Sequence, residues 1–294
     1  MRTLFIVIIM MVCERTAGQG SFDKEDSLKS KFPTVGAYFW CDYGEYRNKI
    51  FLDFAKDNGV AEIYLAQRKE DYEKYGFDYY QKTKYFLEMT HKRSLKVFLL
   101  LGCQSKTIED FKSDIHDIST KIQRAIDYNN QAPDSLRFAG IHLDIEFSKI
   151  KNDSIYQLFS DWIVDACREY RKYIKMDFSI VKYTYGIGGR DVEVKYDGKA
   201  VELYKVAINE GDRTFVQSYH RDNAYSIYKD VEPFIKYAAP KNKTIIYTLQ
   251  PSDFKGGYKQ MYYQMERLYD TTDYKNTGIA IHMLTNWFIK AAEE

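Results

Sequence analysis

The chain's 294 residues suit a single α/β barrel, a fold that typically runs to about 250 residues. A hydrophobic fraction of 45% with 16% aromatics, against 29% charged residues, supplies a large core and excludes a disordered or fibrous protein. Formal charge is +1, and the basic and acidic side chains become equal in number if Arg2, Glu14 and Arg15 leave with an N-terminal leader. No electrostatic footprint for nucleic acid or for an anionic membrane is left.

That leader is the first predicted element. Met1-Arg2-Thr3, the apolar run 4–13 and the small residues of Thr16-Ala17-Gly18 predict a secretory signal peptide over 1–18, leaving a barrel domain over 19–294. The apolar run is shorter than the roughly 20 residues a bilayer span needs, and no later stretch reaches that length. The expectation is a secreted protein without a membrane span. Cys13 leaves with the leader, so Cys41, Cys103 and Cys167 remain, an odd number. Cys41 and Cys103 follow the first and third predicted strands on one barrel face, where a bridge is one arrangement open to them; Cys167 reads as a buried helix residue. The sequons at Asn152 and Asn242 fit a secreted glycoprotein.

Beyond a polar lead-in, short apolar runs alternate with amphipathic stretches. Strands are predicted over 35–40, 61–66, 96–102, 138–147, 176–181, 214–219, 244–249 and 278–284. Helices are predicted over 46–58, 79–92, 108–128, 154–173, 199–209, 225–237 and 258–269. Asn58-Gly59 is a helix stop and Asp153-Ser154 a helix start. Eight strands separated by room for a helix predict a single (β/α)8 barrel, with an open doubly wound sheet as the runner-up.

Catalytic groups of a parallel barrel sit where strands end, at the C-terminal face. In the segment 138–147 the strand period of two puts His142, Asp144 and Glu146 on one face and Ile141, Leu143 and Ile145 on the other. Three ionisable groups among the helices would be costly, so the lumen is their side. Neighbouring lumen carboxylates raise one another's proton affinity, which makes Glu146, nearest the mouth, the candidate general acid and Asp144 its tuning or substrate-orienting partner. A purely structural polar cluster is the competing reading. Trp40, Tyr43, Tyr183, Tyr185, Tyr219 and Trp287 fall near strand ends, where aromatic rings form floors for sugars. Gly186-Ile187-Gly188-Gly189 reads as a loop without the context of a dinucleotide site, and no Gly-x-Ser-x-Gly elbow is present.

Residues 139–146, ending in Asp144-Ile145-Glu146, resemble the fourth-strand signature of the family 18 glycoside hydrolases, the chitinase-like TIM barrels. The family has Asp where this chain has Ala139 and His142, so the motif is degenerate. The third-strand signature is met by Leu100-Leu101-Gly102-Cys103 with one of its two glycines, the sixth-strand one by Gln217-Ser218-Tyr219-His220, and the first-strand one by residues 35–39. The resemblance implies a hydrolase of glycosidic bonds in an oligo- or polysaccharide containing N-acetylhexosamine. It implies retention through the substrate's own acetamido group. Glu146 would protonate the leaving oxygen, Asp144 would hold the acetamide and Tyr219 would bond its carbonyl. Gln217, His142, Trp40, His282 and Asp222 are the substrate-binding candidates. A carbohydrate substrate or ligand, no cofactor, no metal and a monomer are expected. Two alternatives stay open: a non-catalytic, lectin-like barrel, and a metal-dependent hydrolase built on His142, Asp144, Glu146 and His282.

Overall fold

The computed structural model describes residues 31–40, 45–66, 79–146, 153–180 and 192–292. Eight parallel strands close into a barrel: β1 (Val35–Trp40), β2 (Glu62–Ala66), β3 (Lys96–Gln104), β4 (Gly140–Glu146), β5 (Lys175–Ile180) and, after a hairpin of β6 (Glu193–Tyr196) and β7 (Lys199–Glu202), β8 (Arg213–Gln217), β9 (Thr244–Leu249) and β10 (Thr277–Ile281). β10 pairs with β1 through Val35–Ile279 and Gly36–Ala280, and that closure rules out the open sheet. The helices are α1 (Glu45–Asp57), α2 (Tyr79–His91), α3 (Ile108–Gln131), α4 (Asp153–Tyr170), α5 (Leu203–Glu210), α6 (Ala224–Ala238), α7 (Gly257–Thr271) and α8 (Leu284–Ala292). The protein is a (β/α)8 TIM barrel.

Register decides which side chains fill the lumen. Tyr38 stands beside Tyr64, Tyr64 beside Phe98, Leu100 beside His142, Gly102 beside Asp144, Asp177 beside Arg213 and Gln217 beside Thr248. Residues of the opposite parity, Ile141, Leu143 and Ile145 on β4 among them, enter the apolar layer between strands and helices. The inner cluster is smaller: Tyr38, Tyr64, Ala66, Phe98, Leu100, Phe215, Ile246 and Ala280. Large and small residues alternate to fit it. A Cβ on Gly36 would lie 2.5 Å from the Tyr64 ring and one on Gly140 2.5 Å from that of Phe98, so both positions need glycine for room.

At the N-terminal end the lumen is floored by ions. Arg213 Nη2 lies 2.6 Å from Asp177 Oδ2 and Nη1 lies 2.7 Å from Glu62 Oε2, while the Tyr64 hydroxyl donates to that same oxygen at 2.8 Å. The guanidinium carbon lies 4.5 Å from the centroid of Phe98. Arg213 is thus held by two carboxylates and by rings, and is closed off from the mouth by the aromatic layer above.

Two stretches depart from the sequence reading. The predicted helix over 199–209 begins only at Leu203; residues 199–202 are β7, paired antiparallel with β6 across Asp197-Gly198. Both turn residues have positive φ, 49° and 74°, which is the backbone that the Asp-Gly pair favours in a two-residue hairpin. The hairpin docks on α4, where the Gln157 amide accepts from Lys195 N at 2.7 Å and donates to Lys195 O at 3.0 Å. The second departure is α8, which begins three residues after Ile281, at the last residue of the predicted strand 278–284, where no helix is predicted. Helix α1 stops as expected: Gly59 has φ 74° and its N–H bonds Lys56 O at 3.0 Å, while Val60 N bonds Ala55 O at 2.9 Å.

The leader over 1–18, Cys41, Tyr43, Phe147, Asn152, Tyr183, Tyr185 and the loop 186–189 lie outside the described residues. Cys103 and Cys167 are free thiols. No helix among the described residues is long and apolar enough to cross a membrane.

Candidate active site

The site is built on the last turn of pleat in β4. His142 is fully buried, whereas Asp144 and Glu146, successively nearer the mouth, are half-buried. Gly102 lets β3 approach here, since a Cβ on it would meet the Asp144 carbonyl oxygen at 2.5 Å. The two carboxylates stand ~7 Å apart along the strand by its rise per residue.

Asp144 accepts a bond from Gln217 Nε2 at 3.0 Å. Burial raises its carboxyl from 3.8 to about 7, the charge of Glu146 adds to the rise, and the polar side chains of Ser179 and Gln217 oppose it. Glu146 accepts from Gln104 Nε2 at 2.6 Å, the two residues being register partners on β4 and β3. A carboxyl that keeps its proton near neutrality therefore sits directly beneath a more open one. Two carboxyl groups in different environments is the arrangement acid and base work requires.

Aromatic rings wall the mouth. Tyr38 and Trp40 stack at 6.1 Å, and the His282 ring meets Tyr38, Trp40 and Tyr219 at 5.3, 5.0 and 5.2 Å. Burial pushes His282 down to about 4, so it is a neutral ring. The Tyr219 hydroxyl is buried without a hydrogen-bond partner among the described residues, and burial raises its pKa well above the ordinary phenol value, with Tyr38, Asp144 and Glu146 adding to the effect. It reaches the lumen because β8 ends at Gln217 and the chain turns at Tyr219-His220, with His220 at φ 63°. His220 points out, its side chain 83% exposed and 3.8 Å from Asp253.

The structure brings Asp144, Glu146, Gln217, Tyr219, Trp40 and His282 together around one mouth. It separates three other candidates from them. His142 lies a layer deeper, its Nε2 2.9 Å from both Tyr38 Oη and Ser179 Oγ, so it supports the site from below. Asp222 is exposed on the turn ahead of α6, accepting from Asn223 at 3.1 Å. Trp287, read near a strand end, belongs to α8 and is buried in the outer core against Phe54. Among the described residues no group of three or more His, Cys, Asp or Glu side chains is placed to hold a metal ion. Ser179 and Gln104 were missed by the sequence reading. Each shares the parity of its strand's lumen residues, which is the signal that points to it.

No protein-family model matches the chain, and no curated protein matches it either. Solved structures do share its fold. A family 18 (GH18) chitinase from Pseudoalteromonas aurantia aligns at TM-score 0.57 and 10% identity, over 88% of this chain and 99% of its own. An endo-beta-N-acetylglucosaminidase from Cordyceps militaris aligns at TM-score 0.51 and 12% identity, over 87% and 84%. An endoglucanase from Pseudomonas stutzeri aligns at TM-score 0.54 and 10% identity, over 84% of each chain. All three are glycoside-hydrolase barrels, and the likeness is one of fold.

Proposed function

We propose that the protein is a secreted glycoside hydrolase that cleaves an N-acetylhexosamine-containing oligo- or polysaccharide, with Glu146 as general acid. The observation that carries this reading is the Asp144–Glu146 pair, projecting into an aromatic-walled barrel mouth with the lower carboxyl raised to about 7 by burial and by its neighbour. Glu146 protonates the leaving oxygen. Asp144, still protonated or sharing its proton as the reaction proceeds, holds the substrate's acetamide, and Tyr219 offers its unpartnered hydroxyl to the acetamide carbonyl. Trp40 and His282 provide ring faces against which a sugar stacks. Assistance by the substrate itself is favoured because β9, three strands round the barrel from β4, leads out through Thr248-Leu249-Gln250 and offers no carboxylate nucleophile.

The test is hydrolysis of chromogenic and polymeric glycosides by the mature protein, alongside Glu146→Gln and a chelator-treated sample. General acid catalysis is worth roughly 10²–10⁴ in rate, so Glu146→Gln should lose turnover by that factor while still binding the glycan, and the chelator should change nothing. If no glycoside is turned over and Glu146→Gln binds glycans as the parent does, the barrel is a carbohydrate-binding protein on an enzyme's scaffold. Recovery of the mature chain from culture medium with Gln19 at its N-terminus would test secretion and the 1–18 leader together.

A further inference from the structure

Two unfavourable features stand side by side just past the end of β8. The Tyr219 hydroxyl is buried with no hydrogen-bond partner among the described residues, so its desolvation is uncompensated and the side chain would gain by turning to water. Next to it, His220 has φ 63°, a left-handed backbone that crowds the Cβ of an L-residue. The strand itself stops short of both. β8 ends at Gln217, and the bond from Ser218 N to Thr248 O at 3.0 Å lies one residue before Tyr219. Tyr219 keeps the lumen parity of Arg213, Phe215 and Gln217, and its ring meets that of His282 at 5.2 Å, but the direction of its Cα–Cβ bond is set by the turn.

Asp253 opposes both features. Its Oδ2 accepts from His220 N at 2.7 Å, the length of a charge-assisted bond, and its Oδ1 lies 3.8 Å from Nδ1 of the His220 ring. That ring is 83% exposed, against 10% for the Asp253 side chain, so the backbone bond rather than the ring pairing carries the contact. Burial pushes the Asp253 carboxyl up, and the His220 N–H is the first influence that opposes the rise. Asp253 is itself well anchored. It closes the short 3-10 turn Pro251–Asp253 after β9, where Asp253 N bonds Gln250 O at 3.1 Å and Phe254 N bonds Pro251 O at 3.3 Å, with Pro251 and Phe254 both buried.

We propose that Asp253 is a positioning residue for Tyr219, pinning the left-handed turn at His220 so that the Tyr219 hydroxyl stays in the lumen for a substrate carbonyl. A backbone held in a sparsely populated conformation beside a working side chain needs such a support from its surroundings. The hydroxyl remains a donor that no described side chain occupies, because the turn and not a bond of its own keeps it in place. The idea rests on the proposed role of Tyr219 toward the acetamide.

The first arm of the experiment reads ring position rather than turnover, so its failure is separate from any failure of the glycosidase reading. The full chain is labelled with meta-fluorotyrosine at Tyr219, and the fluorine relaxation caused by a dissolved gadolinium chelate is measured by NMR. The fluorine should be shielded in the parent and should relax several-fold faster in Asp253→Ala. It should stay shielded in Asp253→Asn, which keeps an oxygen able to accept from His220 N. Asp253→Ser, whose shorter side chain falls away from that N–H, takes the place of Asp253→Ala should the latter fail to fold. The same label at Tyr247, a buried ring of β9 whose hydroxyl lies 2.7 Å from Thr272 Oγ1, should stay shielded throughout. A Tyr219 ring that stays shielded in Asp253→Ala would overturn the proposal, and so would a release in Asp253→Asn as large as in Asp253→Ala. Exposure of Tyr247 together with Tyr219 would overturn it too, since Asp253 would then hold the fold rather than the ring. On any glycoside the parent cleaves, Asp253→Ala should lower kcat by the same factor as Tyr219→Phe, and the double variant should lose no more; additive losses would count against the assignment as firmly as a shielded ring.

Discussion

Asp144 is where the needs of folding and of chemistry oppose each other. Its carboxyl lies at about 7 in the folded chain, chiefly through burial, against 3.8 for the free group. The folded state therefore binds the proton more tightly than the unfolded chain does, and the sign of the linkage follows. Below about pH 4 both states are protonated and the site contributes no penalty; the penalty grows as pH climbs toward about 7 and stays at its full value above. A shift of that size corresponds to at most about 4 kcal/mol, and the partial opening of Asp144 to the mouth halves the expectation to about 2 kcal/mol. Asp144→Asn should accordingly stabilise the protein by about 2 kcal/mol in urea titrations at about pH 8 and hardly at all at about pH 4. An equal effect at both values would mean that the carboxyl does not titrate near neutrality. Position 144 was legible in the sequence because one strand carries His142, Asp144 and Glu146 at alternate positions. Ser179 and Gln104 were not, for each meets its partner only through register, 37 residues from His142 and 42 from Glu146.

Among the elements, the eight barrel strands were legible because their apolar runs are short and the stretches between them have helical spacing. The hairpin was hidden by its successor. Leu203, Val206 and Ala207 form the buried face of α5, and Ala200 and Val201 extend that apolar spacing backward into β7, so the helix pattern absorbed a strand. The local cue was nevertheless present, an Asp-Gly pair flanked by strand-forming residues. The turn offers a clean measurement because a Cβ on Gly198 would meet nothing within 4 Å while its φ is 74°. Any cost of Gly198→Ala is conformational rather than steric, and the left-handed backbone charges an L-residue about 1–2 kcal/mol. Amide exchange should quicken across the hairpin in the Ala variant and leave β4 protected. Accelerated exchange throughout the barrel would instead mean that the hairpin folds as one unit with it. Helix α8 escaped detection because its first buried residue, Leu284, closes the predicted strand 278–284 and its second, Trp287, reads as an aromatic at that strand's end.

For the molecule as a whole, closure is what sequence alone leaves open, because alternating strands and helices also describe an open sheet. The barrel's own solution to closure is visible at its floor, where residues from β2, β5 and β8 converge although 151 positions separate Glu62 from Arg213. Arg213 is the cation of that group, its side chain 13% exposed, against 0% for Asp177 and 10% for Glu62. Burial lifts Asp177 to about 6 even with Arg213 opposing the rise, so the ion pair is only just maintained against desolvation. Removing the cation alone leaves a carboxylate sealed in the lumen, a change that typically costs about 3–5 kcal/mol. Arg213→Leu should therefore destabilise by that amount in denaturant unfolding at about pH 8. The loss should shrink toward about pH 5, where Asp177 can take up a proton and shed its unpaired charge. Combining Arg213→Leu with Asp177→Asn and Glu62→Gln, which removes the charges rather than one partner, should recover most of the stability. If Arg213→Leu costs under about 1 kcal/mol at either pH, the floor is a passive filling and closure rests on the strand ladder and the aromatic layer above it. The same variant bears on the mouth, since Arg213 is one of the two influences that keep His142 uncharged.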